Sequence, residues 1–158
     1  MKSFSKSKSK RIKMLYRRLF VRYYSSGVNN FKKHASPSRV LGIESTCDET
    51  SLAIVDSNGN IDCHFILSQF HIHAQHGGIV PTLARREHEK ALPILLKEVK
   101  KATHDNILHD IDAIAVSSGP GLAGCLQVGM NFASNLAKEY NKPYLTINHL
   151  EAHSLVTH

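Results

Sequence analysis

"VLGIESTCDETSLAIVDSNGNIDCHFILSQF", residues 40–70, decides the fold of this chain. "RVLGIES" is a short apolar run ending on polar residues, and "TSLAIVD" is a second, both of strand length. Between Val55 and Ile61 lies "DSNGN", whose Asn-Gly pair tolerates the left-handed backbone that a tight hairpin needs. "IDCHFILSQF" supplies a third run. The three predict an antiparallel meander.

Downstream the period changes. "HGGIVP" reads as a Gly-rich loop, and from Pro81 the residues Leu83, Leu92, Leu95, Leu96 and Val99 fit an amphipathic helix to about Ala102. Pro93 is expected to interrupt or kink it. "IDAIAVSS" reads as a buried strand, "GPGLAG" as a turn, "LQVGMNFASNLAKEY" as a helix and "KPYLTIN" as a strand, and "HLEAHSLVTH" opens a final helix. The predicted order is βββαβαβα, an α/β arrangement of the ribonuclease-H-like kind that actin/Hsp70-like ATPases repeat. Fold alone does not fix function.

Upstream of the meander the composition differs. Residues 1–39 carry 12 Lys and Arg and no Asp or Glu, whereas residues 40–158 carry 8 basic and 13 acidic residues. The overall charge of +7 therefore belongs to a leader, and the body is mildly acidic. "MKSFSKSKSKRIKMLYRRLFVRYYSSG" is basic, Ser-rich and lightly amphipathic around Ile12, Leu15, Leu19 and Phe20, the composition of a mitochondrial transit peptide. Arg22-Tyr23-Tyr24-Ser25 resembles a matrix-processing site; a basic RNA-binding arm is the alternative. Residues 1–38 are thus expected to be transit peptide and linker, directing the protein to the mitochondrial matrix. No stretch reaches the roughly 18 apolar residues of a membrane span. Cys47, Cys63 and Cys125 form no CxxC pair and predict neither a disulfide framework nor a cysteine metal site.

Three stretches carry candidate chemistry. Asp48 and Glu49 sit between the first two strands, where carboxylates could orient a metal or a substrate amine, or simply decorate a solvated turn. "SSGPGLAG", residues 117–124, joins a strand to a helix; its glycines allow close backbone approach and the helix N-terminus offers N–H groups to an anion. It lacks the Walker Lys and the GxGxxG spacing, so no nucleotide motif is assigned. In "NHLEAH", residues 148–153, His149 and His153 stand four apart and share one helical face, enough to grip one ion but short of the third ligand a stable site wants. Glu151 points away from that face, so the zinc-peptidase arrangement fails. His71, His73 and His76 read as polar residues of an extended loop, although a metal is conceivable. Arg85, Arg86 and His88 read either as RNA-phosphate contacts or as a solvated helix face.

Taken together, "VLGIESTCDETSLAIVD", "HGGIVPTLARREH", "DIDAIAVSSGPGLAGCLQVG" and "KPYLTINHLEAH" resemble one family in order and spacing over residues 40–153. It is that of the tRNA adenosine threonylcarbamoyltransferases, formerly described as sialoglycoprotein endopeptidases; with its leader the chain resembles a mitochondrial member. The resemblance implies transfer of threonylcarbamoyl from its adenylate to the exocyclic amine of the adenosine next to the anticodon, in tRNAs reading codons that begin with A. It implies one divalent ion, zinc or iron, on His149 and His153, holding the threonylcarbamoyl-adenylate and polarising its carbonyl. Asp48 and Glu49 would orient or deprotonate the attacking amine. Ser117, Ser118, Gly119, Pro120, Gly121 and Leu122 would border the substrate. The helices after Pro81 and Leu122 would form a homodimer. The sequence departs from the family at Thr82, Ala152 and Ser154, and in length: the family has two such halves, with its third metal ligand, an Asp, in the second. Residues 39–158 are accordingly expected to be the first ribonuclease-H-like domain, truncated in the metal-binding helix. The chain would then be either a shortened enzyme or a non-catalytic half-domain pairing with a full-length subunit.

Overall fold

The computed structural model describes residues 37–156; of the transit peptide and linker expected at 1–38, residues 1–36 lie outside them. The meander forms where the apolar runs place it: β1 (Arg39–Glu44), β2 (Glu49–Asp56) and β3 (Ile61–Ser68). β1 pairs antiparallel with β2, and β2 with β3. At the hairpin turn Gly59 takes φ +81°, and the Asp56 carboxylate accepts hydrogen bonds from the backbone of Asn58 and Asn60 and from the Asn60 side chain. Burial by itself would raise the Asp56 carboxyl, but these bonds outweigh it and hold it below the ordinary carboxylate value.

Beyond β3 come α1 (Phe70–Ala74), α2 (Pro81–Ala102), α3 (Ile107–Asp110), β4 (Ala113–Gly119), α4 (Ala123–Glu139), β5 (Tyr144–Asn148) and α5 (His149–Val156). β4 runs parallel to β1 and to β5, completing a five-stranded mixed sheet of order β3-β2-β1-β4-β5. Alternation along β1 and β4 divides the core. Leu41, Ile43, Ile114 and Val116 point to one face, where Leu92, Leu95 and Val99 of α2 and Ala133 and Leu136 of α4 cover them. Val40, Ala113 and Ala115 point to the other, against Ile147 of β5 and Ala152 of α5. No described helix is long and apolar enough to cross a membrane.

Three expectations change. Residues 70–74 form a helix, not an extended loop, and a second short helix precedes β4. Pro93 does not interrupt α2, which runs for 22 residues. Its ring faces solvent, while Ala91, Leu92, Leu95 and Val99 anchor the helix on both sides of it. That burial offsets the hydrogen bond which proline cannot make.

α4 lies unusually close to the end of β1. A Cβ on Gly129 would stand 2.2 Å from Ser45 Oγ and 3.5 Å from Val116 Cγ2. Gly129→Ala is therefore expected to lower unfolding stability by about 1–3 kcal/mol in denaturant titration, as overpacking does. Adding Ser45→Ala should recover part of it by removing the clashing oxygen. An unchanged midpoint for Gly129→Ala would disprove the close approach.

Candidate functional site

In parallel α/β sheets, ligands collect beyond the carboxyl ends of the strands. The three parallel strands here end at Glu44, Gly119 and Asn148, and Gly119 pairs directly with Asn148. That register brings the "SSGPGLAG" stretch beside the first residue of α5. Asn148 caps this helix: its Oδ1 accepts from the N–H groups of Leu150 and Glu151, at 3.0 Å each.

The cap starts α5 so that His149 and His153 face one another across one turn, with their Nε2 atoms 3.0 Å apart. Two nitrogens sharing one tetrahedral ion would stand about 3.3 Å apart, so the pair is spaced for a common ligand. A third group joins them. Glu44 Oε1 lies 3.4 Å from His149 Nδ1, and Glu44, His149 and His153 each offer a ligand atom within 4.8 Å of the others. Glu44 in turn accepts a 3.0 Å hydrogen bond from Thr46 Oγ1. Burial lowers the His149 pKa below the ordinary histidine value; the Glu44 carboxylate opposes this and His153 adds to it. Neutral imidazole is the form that ligates a metal. One carboxylate and two imidazoles suit zinc or ferrous iron.

Sequence reasoning missed Glu44, because periodicity marks it only as the polar end of a buried strand. Its position one residue past Ile43, at the carboxyl edge of the central strand, was the available signal. Asp48 and Glu49 are not part of this cluster. Asp48 is half-buried in the β1–β2 loop with its carbonyl accepting from Gln69 N–H at 2.8 Å, and Glu49 is exposed at the start of β2.

In the loop after β4, Ser118 Oγ donates to the Ile147 carbonyl at 3.3 Å, and Gly119 adopts φ +141°, which favours glycine. Ser117 is half-buried, and Pro120 and Gly121 are exposed. The Leu122 N–H is engaged internally, donating to the Thr46 carbonyl at 3.0 Å, and so is not available to an anion. Gly121 packs so tightly on that carbonyl that a Cβ would lie 3.0 Å from it.

His73 and His88 serve the fold. The Val80 N–H donates to His73 Nδ1, so the His73 proton sits on Nε2 and is donated to Gln69 Oε1 at 2.8 Å. Among the described residues no metal-holding cluster includes His71, His73 or His76. His88 is fully buried and cannot touch RNA phosphate; Arg85 and Arg86 are exposed. Both sequence readings placed all three on the helix surface, whereas α2 turns His88 inward against the loop after β1.

A family model for tRNA N6-adenosine threonylcarbamoyltransferase matches residues 60–158. A protein of that name from Fervidobacterium nodosum is 51% identical over 114 residues, covering 72% of this chain and 33% of its own length. Another from Burkholderia vietnamiensis is 49% identical over 118 residues, with 73% and 33% covered. The chain thus spans about a third of the length of these curated relatives. Among solved structures, YeaZ from Pseudomonas aeruginosa superposes with a TM-score of 0.50 at 18% identity, over 70% of this chain and 43% of that one. This likeness agrees with the ribonuclease-H-like, actin/Hsp70-like architecture read from the strand order. On the family match, this chain belongs to the tRNA N6-adenosine threonylcarbamoyltransferases.

Proposed function

We propose that this protein acts in mitochondria in the transfer of threonylcarbamoyl from threonylcarbamoyl-adenylate to the exocyclic amine of the adenosine next to the anticodon, in tRNAs reading codons that begin with A. The observation that carries the reading is the Glu44–His149–His153 cluster at the carboxyl edge of the sheet, in a chain of this family. His149 and His153 hold one divalent ion, zinc or iron, and the Glu44 carboxylate completes or orients the pair. Such an ion supplies Lewis-acid polarisation of an acyl carbonyl.

This chain's own residues bind and orient. The loop from Ser117 to Leu122 borders the adenylate with glycine backbone, allowing close approach. Asp48 or Glu49 accepts a proton from the attacking amine as its nitrogen bonds to the carbonyl carbon and the bond from that carbon to the phosphate oxygen breaks. The leaving group is AMP. Pairing of two copies through α2 and α4 belongs to the same reading; between these helices lies a groove of about 290 Å³ lined by Arg85, Glu89, Gly124, Gln127, Val128 and Asn131. The acid-free basic leader supports import into the matrix.

The test is rescue of mitochondrial tRNA in cells lacking their own enzyme, read as threonylcarbamoyladenosine by nucleoside mass spectrometry. The full chain is expected to restore the modified nucleoside, and a chain starting at residue 39 is expected not to. Soluble, folded protein without modified nucleoside would defeat the transfer reading. Rescue by the shortened chain would defeat the role given to the leader.

A further inference from the structure

The segment from Ser45 to Asp48, which leads into Glu49 at the start of β2, has no helix or strand of its own to hold it, yet three successive carbonyls in it are each bonded by a different element. Thr46 O accepts from the Leu122 N–H at the start of α4, at 3.0 Å. Asp48 O accepts from the Gln69 N–H before α1, at 2.8 Å. Between them, Cys47 O faces His88 Nε2 of α2 at 3.1 Å. A carbonyl can only accept, so the His88 proton is on Nε2 and Nδ1 accepts from the Thr50 hydroxyl at 2.7 Å. His88 therefore grips the chain on both sides of the pair, at Cys47 and at Thr50.

We propose that His88 is the positioning residue for Asp48 and Glu49, clamping the backbone that aims their carboxylates at the attacking amine. The role of the carboxylates rests on the transfer reading above; the clamp rests on geometry alone. Of the three donors to this loop, two are backbone N–H groups that any residue would supply. His88 is the one whose side chain decides. It is 0% exposed, and both ring nitrogens are satisfied within the protein, so neither is free to bind substrate or metal. Burial holds it neutral by depressing its pKa, against the opposing pull of the Cys47 carbonyl and the nearby Asp48 and Glu44 carboxylates. That preserves the donor–acceptor arrangement near neutral pH.

Amide hydrogen exchange on the full chain reads the clamp, and transfer to tRNA reads its consequence. His88→Leu keeps much of the buried volume and removes both hydrogen bonds. It should accelerate exchange at the Gln69 and Leu122 amides roughly 5- to 100-fold beyond any change in the central strands β1 and β4. His88→Gln, whose amide can again donate to the Cys47 carbonyl, should restore much of the protection. If His88→Leu does not fold, Thr50→Val, which removes only the hydroxyl, should show a smaller acceleration confined to the same two amides. In transfer, His88→Leu should lower kcat roughly 10- to 100-fold with KM for tRNA unchanged, and His88→Gln should recover part of it. A packing role alone would make Leu at least as good as Gln, or speed loop and sheet amides equally; either result overturns the clamp. An unaltered kcat in His88→Leu, with the wild type active, overturns the positioning role. An inactive wild type that still shows the loop-specific exchange would refute the transfer reading and leave the clamp standing.

Discussion

Replacing His149 by Ala is expected to abolish metal binding. The full chain, titrated with zinc or ferrous iron, should bind one ion, and His149→Ala should show no saturable binding in the same range. The reason lies in the arrangement of the three groups. His149 stands between the others, with Nδ1 3.4 Å from Glu44 Oε1 and Nε2 3.0 Å from His153 Nε2. Without it only His153 and Glu44 remain, too few donors for a stable site. Glu44→Gln tests the newly recognised member. It keeps the shape and the hydrogen bond from Thr46 but removes the charge, and should weaken the ion roughly 10- to 100-fold, the usual loss for a carboxylate that ligates or orients a ligand histidine. Full stoichiometry in His149→Ala would refute the assignment of the pair. Unchanged affinity in Glu44→Gln would remove Glu44 from the site.

Acidification is expected to destabilise the fold through His88. Its proton affinity is lower in the folded chain than in the unfolded one, because burial penalises the imidazolium. The unfolded state then binds the proton more tightly, so the stabilising effect is complete above the ordinary histidine value of 6.5 and is lost as pH falls from there toward the lower folded value. Each tenfold difference in proton affinity between the two states is worth about 1.4 kcal/mol. The groups facing His88 are the Asp48 and Glu44 carboxylates, which soften the depression, and His73, which deepens it. Urea unfolding between pH 7 and pH 5 should show stability declining with pH in the wild type and declining less in His88→Gln. His149 is also depressed and remains in both proteins, so the comparison isolates His88. Parallel pH profiles for the two proteins would count against the account.

Most of the fold was legible because its signals are local. The Asn-Gly turn, the alternation of Leu41, Ile43, Leu52 and Ile54, and the helical spacing of Leu92, Leu95 and Val99 each depend on neighbours a few residues away. Pro93 was misjudged because its cost is local while the compensation, burial of α2 along its whole length, is not. The short helix at 70–74 has no apolar period and is held by Gln69 and His73 bonding one another and α2.

The histidine pair was legible from its i,i+4 spacing, since a helix alone makes those residues neighbours. Its carboxylate was not. Glu44 lies 105 positions before His149, and only the parallel pairing of β1 with β4 and of β4 with β5 brings the two strand ends together. The same holds for His88, which the sequence reading placed on a solvated or RNA-facing surface and the packing of α2 placed under the segment that leads into Asp48 and Glu49. The sequence alone determined the strands, the long helices, the likeness to a family and two members of the Glu44–His149–His153 cluster, because those are written in short-range pattern. Tertiary structure decided the third member and the clamp on the loop, because a side chain's chemical role depends on which distant backbone it is packed against.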